Sequence, residues 1–392
     1  MINQASCDRR IPVLVLALLA TPTSLSANST TTVIPGLARD LGITVADATW
    51  TATAFGWAVV IGTPVTAGLL RARGTRTAVL VNAALVLLGT LLVAVAPVLP
   101  VLLAGRAAQA AGGGGLVTLA IGLAGTTRRT GAVTAGIGLV GAFGPLAGST
   151  LSEISWRLPL CLSLVALLAV PVVLSRVPAH RGQDDATPVD PLGIMLVLGL
   201  ASALVLIPRF PPQALVASVL ASILLARHIR WHADGFVPQP LLRSRAFLAS
   251  ASVACALSTS YFALLYTVPR LLDHHWPAEQ IGVATLIALA VGSMASLLFT
   301  RYTSRLGVSP GRATLLTAGA IAVALPVTGW PPAYAAATAF AVFAATAGMA
   351  WYAPRAGRDT PERHRATALS LFTLCYQLGG AFGPAVATLV IV

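Results

Sequence analysis

Apolar stretches of about twenty residues, separated by short arginine-bearing connections, recur along the whole chain. Thirteen can be marked: residues 11–34, 49–70, 77–96, 98–122, 131–152, 157–175, 191–208, 212–229, 246–269, 279–300, 312–330, 332–352 and 366–391. A hydrocarbon core about 30 Å thick takes about 20 helical residues per crossing, so each stretch is predicted to be a membrane-spanning α-helix. The alternating polar residues that a lipid-embedded barrel strand needs are absent. The expected fold class is therefore an all-α polytopic membrane protein. The first stretch departs most from the pattern, because its apolar start after Arg10 gives way to a Ser/Thr-rich run from Thr21 to Thr32. A signal peptide is the alternative there, but removing this span inverts the placement of every later arginine. Serine and threonine hydroxyls can bond to their own helix backbone, so a spanning helix tolerates the run.

Composition sharpens this picture. Hydrophobic residues make up 56% of the 392 and charged residues 9%, against about 25% charged in an ordinary soluble domain. The formal charge of +13 would suggest nucleic acid in a soluble protein, but the arginines lie in clusters between apolar stretches, a placement that indicates topology instead. With the N-terminus placed in the cytoplasm, twenty of the 25 basic residues fall on inner connections. Only Arg39, Arg157, Arg209 and Arg270 fall on outer ones, and Arg106 lies within a span. That asymmetry predicts a multi-pass plasma-membrane protein with a cytoplasmic N-terminus. Every basic residue is arginine, so a P-loop lysine and a Schiff-base lysine are both excluded. The run Gly112 to Gly115 is mid-span with no lysine after it, so it is not a phosphate cradle and this chain does not drive an ATP pump. Cys7, Cys161, Cys255 and Cys375 are far apart and lack ligand spacing. No Ser/His/Asp set, zinc motif or paired carboxylate occupies a span, so the expectation is no enzyme, no metal and no cofactor. His228 and His232, four residues apart at a helix end, are the nearest thing to a ligand pair. His274 and His275 beside Asp273 are a weak candidate for sensing pH.

The organisation is expected to be an N-terminal six-helix bundle over residues 1–180, a linker with two extra helices over 181–240, and a C-terminal bundle over 241–392. The C-terminal bundle has five helices by this count, its last apparently missing. A repeated pentapeptide supports two related halves: Gly141, Ala142, Phe143, Gly144 and Pro145 recur as Gly380 to Pro384.

Candidate chemistry gathers in the fourth and fifth stretches. Arg106 lies about 13 Å along the helix from Pro97, a depth at which an arginine faces a cavity or a partner unless it snorkels to the surface. Gln109, three residues on, shares its face. Gly141, Gly144 and Gly148 form one stripe in the fifth stretch, and Pro145 favours a kink; a packing seam and a hinge are equally good readings. Asn28, Thr31, Tyr261, Tyr266 and Gln377 are candidate substrate contacts by polarity and depth alone.

These residues carry a specific resemblance. Arg106, Gln109, Gly112 and Gly113 resemble the fourth-helix motif of the major facilitator superfamily. Gly141, Gly144, Pro145 and Gly148 resemble the fifth-helix antiporter motif of its drug exporters, with Trp156 and Arg157 where those exporters begin their sixth helix. The extra central pair is the pattern of the fourteen-helix drug:proton antiporter family, and the resemblance covers nearly the whole chain. It implies two bundles related by a pseudo-two-fold axis, a small-molecule substrate bound between them, and export of amphipathic compounds by alternating access. Gly383 and Pro384 then become the second-half counterparts of the hinge residues. The cytoplasmic loop motif is partly kept in Gly74 and Arg76, and again in Arg305 and Gly307. Its acidic position is Arg71 in the first loop and Ser304 in the second, which puts the latch formed by that acid in doubt. The first-helix Asp common in the exporters is replaced by Ser26. No Asp or Glu lies mid-span, so protons, the coupling partner the resemblance implies, find no titratable carboxylate. A uniporter or anion-linked carrier, and a truncated relative that moves nothing, are the alternatives. Partners are a small-molecule substrate and the lipid bilayer, with no nucleic acid; oligomeric state is not legible.

Overall fold

The computed structural model describes residues 11–177, 190–207, 210–232, 235–272, 275–302, 308–357 and 362–390. The described residues are helical apart from short turns and connections, and include no strand. The spanning helices are α1 (Val13–Leu41), α2 (Trp50–Leu70), α3 (Ala72–Val95), α4 (Leu99–Ala124), α5 (Thr127–Ala142), α6 (Gly144–Ser152) and α7 (Arg157–Arg176). There follow α8 (Pro191–Leu206), α9 (Pro211–Trp231), α10 (Arg245–Leu272), α11 (Ala278–Tyr302), α12 (Val308–Ala324), α13 (Pro331–Ala356) and α14 (Glu362–Val390). Among the described residues, eleven helical stretches are long and apolar enough to cross a membrane, and α8 is a shorter apolar helix. With α14 they match the thirteen stretches read from the sequence, the fifth being divided between α5 and α6.

Local chemistry explains the interruptions. Near the start of α3 the chain turns at Gly74, whose φ of 76° lies in the left-handed region that a Cβ disfavours. The fifth stretch breaks at Phe143, because Pro145 has no N–H to offer the Gly141 carbonyl and its ring crowds that turn. Within α7 residues Leu162–Ala169 tighten to a 3₁₀ helix just ahead of Pro171, which disturbs the preceding turn in the same way. The Ser/Thr-rich part of α1 is satisfied internally: Ser24 bonds the Thr21 carbonyl (2.8 Å), Ser29 that of Ser26 (3.0 Å) and Thr32 that of Ser29 (2.9 Å).

Two compact units are present, Met1–Gly125 with Gly144–Thr187, and Thr126–Phe143 with Pro188–Val392. In the first unit α4 is central, with α1, α2 and α3 packed around it. Its four-glycine run makes that possible. A Cβ on Gly112 would meet the Asn82 carbonyl of α3 at 2.5 Å, one on Gly113 would meet Thr23 of α1 at 2.6 Å, and one on Gly114 the Val59 carbonyl of α2 at 3.0 Å. Three helices thus reach the α4 backbone within one turn, where dispersion replaces the missing side chains. Toward one end Val33, Leu37, Val93, Leu102, Trp156 and Leu160 form a buried cluster.

In the second unit α13 is central and rich in buried alanine, from Ala333 and Ala337 through Ala341, Ala344 and Ala345 to Ala350. Around it stand α5, α10, α11 and α12, with α14 on α10 and α8 paired with α9. The face of α9 bearing Leu215, Val216, Val219, Leu220 and Ile223 is exposed, which suits acyl chains.

Candidate functional site

Arg106 and Gln109 project from one face of α4 into the first unit, and both are fully buried. Arg106 Nη1 donates to Ser26 Oγ (3.0 Å) and to Gln109 Oε1 (3.1 Å), and Nη2 donates to Thr30 Oγ1 (2.8 Å). The Phe55 ring of α2 covers one face of the guanidinium, 4.3 Å from its carbon. Gln109 Nε2 donates onward to Thr90 Oγ1 of α3 (2.9 Å) and to the Leu160 carbonyl of α7 (3.1 Å), and Ser26 donates to that carbonyl too (2.9 Å). Four helices therefore contribute to one hydrogen-bonded cluster, and α2 adds the Phe55 ring. Among the described residues the cluster's only formal charge is Arg106, because every group touching it there is a hydroxyl, an amide, a carbonyl or an aromatic ring.

Arg106 and Gln109 do meet, but in an enclosed cluster rather than along an open pocket. The first-helix position that lacks an acid, Ser26, is a direct partner of the arginine. Thr30 and Phe55 were missed; the one available signal was that Ser26 and Thr30 stand four apart, on a single helical face.

An open cavity of about 440 Å³ lies elsewhere in this unit, beyond the end of α1, lined by Gly36, Arg39, Asp40, Ser155, Trp156 and Arg157. Asp40 accepts from Trp156 Nε1 (2.8 Å) and Arg157 Nη1 (3.1 Å), and Arg157 Nη2 donates to the Ala96 carbonyl (3.0 Å). The Trp156 hydrogen bond, together with Arg157, holds the Asp40 carboxyl below its usual range against the opposing effect of burial. Trp156 and Arg157 thus tie the start of α7 to the ends of α1 and α3.

The other candidates are dispersed. Asn28 is half-buried on α1, where its Cβ would stand 2.5 Å from a Cβ on Gly144. Gly148 likewise leaves no room beside Thr32 and Ser29. The side chain of Thr31 lies outside the described residues, as do Arg305, Gly307 and the side chains of Arg71 and Pro384. His274 and Asp273 lie outside them too. Arg76 is exposed, two residues after the Gly74 turn. In the second unit Tyr261 is buried in the α10 core, Tyr266 is 41% exposed and Gln377 is half-buried on α14. Tyr376, beside Gln377, packs on the cluster that contains Tyr261 and was not singled out from sequence. Gly383 sits hard against Phe262 and Ala263.

His228 is engaged differently from the pairing suggested by its spacing. Its ring stacks on His232 at 4.5 Å, and its Nε2 lies 2.8 Å from Asp190 Oδ2. Asp190 also caps α8 through the Gly193 N–H (2.8 Å) and accepts from the Phe236 N–H (2.9 Å). Burial raises its proton affinity, but the two N–H groups and His228 outweigh that and hold the carboxyl below its usual range.

Residues 16–384 match the Major Facilitator Superfamily profile. The multidrug export protein EmrB of Haemophilus influenzae is 26% identical over 300 residues, 69% of this chain and 58% of that protein. MFS transporter L2 of a Phoma species is 26% identical over 284 residues, 65% of this chain and 47% of that protein. The chain spans about half to two thirds of the length of the curated relatives it matches. The Escherichia coli fucose:proton symporter FucP superposes with a TM-score of 0.61 at 15% identity, covering 97% of this chain and 92% of that one. A multi-pass helical chain, with a superfamily match over nearly its full length and the fold of solved family members, belongs to the Major Facilitator Superfamily.

Proposed function

We propose that the protein is a secondary transporter that exports amphipathic organic compounds across the plasma membrane by alternating access, with its N-terminus in the cytoplasm. The superfamily match over residues 16–384 carries this reading. The likeness to a relative named for multidrug export supports the substrate class, and the arginine asymmetry supports the orientation. In this reading residues 1–180 and 241–392 are the two bundles and 181–240 the linker with its extra pair. Arg106 and Gln109 form the polar part of the pathway, and Asn28, Thr31, Tyr261, Tyr266 and Gln377 contact substrate. The glycines of the fourth and fifth spans, Gly383 and the two prolines set packing and bending.

A specific observation favours a second reading of the energetics. The Arg106 cluster contains no carboxylate, and arginine does not release a proton at physiological pH. A uniporter or an anion-linked carrier therefore fits this cluster better than a proton exchanger. Purified protein in vesicles tests both points with fluorescent amphipathic dyes of either charge. Faster dye flux than in empty vesicles supports transport, and equal flux contradicts it. Flux that follows an imposed pH gradient restores proton coupling, and flux indifferent to the gradient supports the uniport reading.

A further inference from the structure

Arg106 is ionised, entirely buried and, among the described residues, without a counter-charge. Of its five N–H groups, three hydrogen bonds account for three, and Nε has no acceptor while being sealed from water. The neutral groups around it are already committed: Ser26 and Gln109 both use the Leu160 carbonyl, and Thr30 donates to the Ser26 carbonyl at 3.2 Å. Among the described residues the ion pairs are Arg157 with Asp40 and His228 with Asp190, neither of them at this site. Thr51, one turn before Phe55 on the same face of α2, also has a fully buried hydroxyl with no partner. A cation held only by dipoles in a medium of low dielectric constant is costly, and an anion beside it recovers most of that cost.

We infer that the Arg106 cluster is an anion-binding site, in which the unused Nε edge takes one oxygen of a carboxylate-like group or a halide. The anion belongs to the transported compound or is a free inorganic ion accompanying it. The inference rests on the transport reading for access only: Phe55 covers the guanidinium in the present arrangement, and the site fills when that side opens during the cycle. Ser26 is the specificity-determining residue. Its hydroxyl occupies the position from which a built-in carboxylate would neutralise Arg106 and close the site to outside anions.

Thermal unfolding of the purified full-length chain tests this without a flux assay. Chloride is titrated against sodium gluconate, an anion too bulky for an enclosed site, at fixed ionic strength. In a second arm 1-naphthoate is compared with 1-naphthamide, which has a similar ring and no charge. The wild type is expected to be stabilised in a saturable way by chloride, by naphthoate, or by both. Chloride alone identifies a free ion, and naphthoate alone an organic carboxylate. Arg106→Gln is expected to weaken that binding by about thirtyfold or more, the loss on removing one member of a buried charge pair. Ser26→Asp is expected to abolish the anion response while leaving the protein at least as stable without anion. If Arg106→Gln does not fold, Ser26→Asp decides alone, and a retained response overturns the inference. So does an absent response in the wild type, or equal stabilisation by naphthamide. Dye flux without any anion response removes this inference and leaves transport standing; an anion response without flux does the reverse.

Discussion

The same five residues occur at Gly141–Pro145 and at Gly380–Pro384, and the chain treats them differently. In both copies the fourth residue is a glycine pressed against the first helix of its own half. Gly144 lies against Leu25 and Asn28 of α1, and Gly383 against Phe262 and Ala263 of α10. In the first copy the helix stops at Phe143 and restarts at Gly144, whereas α14 continues through the second copy without a break. The difference originates upstream. Before the first copy α5 is held by the second unit, with Gly131 against Thr300, Gly138 against Ser293, and Thr134 Oγ1 donating to the Thr346 carbonyl (3.3 Å). Before the second copy Gly379 is against Cys255 of α10, the same helix that receives Gly383. A proline preceded by one continuous set of neighbours is absorbed into a helix. A proline where the neighbours change marks a break.

The largest effects are expected at the glycine that both copies share. Gly144→Leu and Gly383→Leu each drive a side chain into backbone and Cβ atoms. Each is expected to destabilise the protein by roughly 3 kcal/mol or more, read as a fall in the thermal unfolding midpoint. An unchanged midpoint at one of them would show that the two copies do not share a packing role. The contrast itself is addressed by the prolines. Pro145→Ala is expected to lower dye flux about tenfold, within the range by which substitutions at conformational elements shift coupling, with little change in stability. Pro384→Ala is expected to leave flux within about twofold, and equal effects would remove the distinction.

A smaller effect is expected at Asp190, which belongs to neither copy and sharpens the comparison as a control. Asp190→Asn weakens the α8 cap and the bond to His228, and is expected to cost about 1–2 kcal/mol without altering the flux ratio of Pro145→Ala to its parent. Because the folded carboxyl titrates below its ordinary range, its contribution is complete above about pH 4 and fades as pH falls through the folded value. Unfolding midpoints of wild type and Asp190→Asn should therefore differ at neutral pH and converge in acid.

Much of the fold was legible because lipid imposes a simple rule, that every crossing is a long apolar helix, and eleven stretches among the described residues obey it. Arg106 and Gln109 were legible by the same rule, since polar residues at depth stand out. The partners were less so. Ser26 was noticed as a missing acid but not as a ligand of the arginine, and Thr30 and Phe55 look like ordinary residues of apolar helices until α1 and α2 are folded against α4. The bond between Asp190 and His228 joins residues 38 apart in sequence and depends on the α8–α9 pairing, which no local pattern encodes. The break at Phe143 was half legible: Pro145 announced a kink, but the division of one span between two units depends on Thr300, Ser293 and Thr346, far along the chain.

The central claim is that a buried, carboxylate-free arginine serves the passage of a compound through this protein. The direct measurement is the initial rate of dye flux into vesicles carrying matched amounts of folded wild-type protein or Arg106→Ala. The account predicts saturable flux in the wild type and a loss of about tenfold or more in the variant, as follows from removing an interaction worth at least 1.4 kcal/mol. Equal rates for the two proteins, or rates no higher than in empty vesicles, would contradict it.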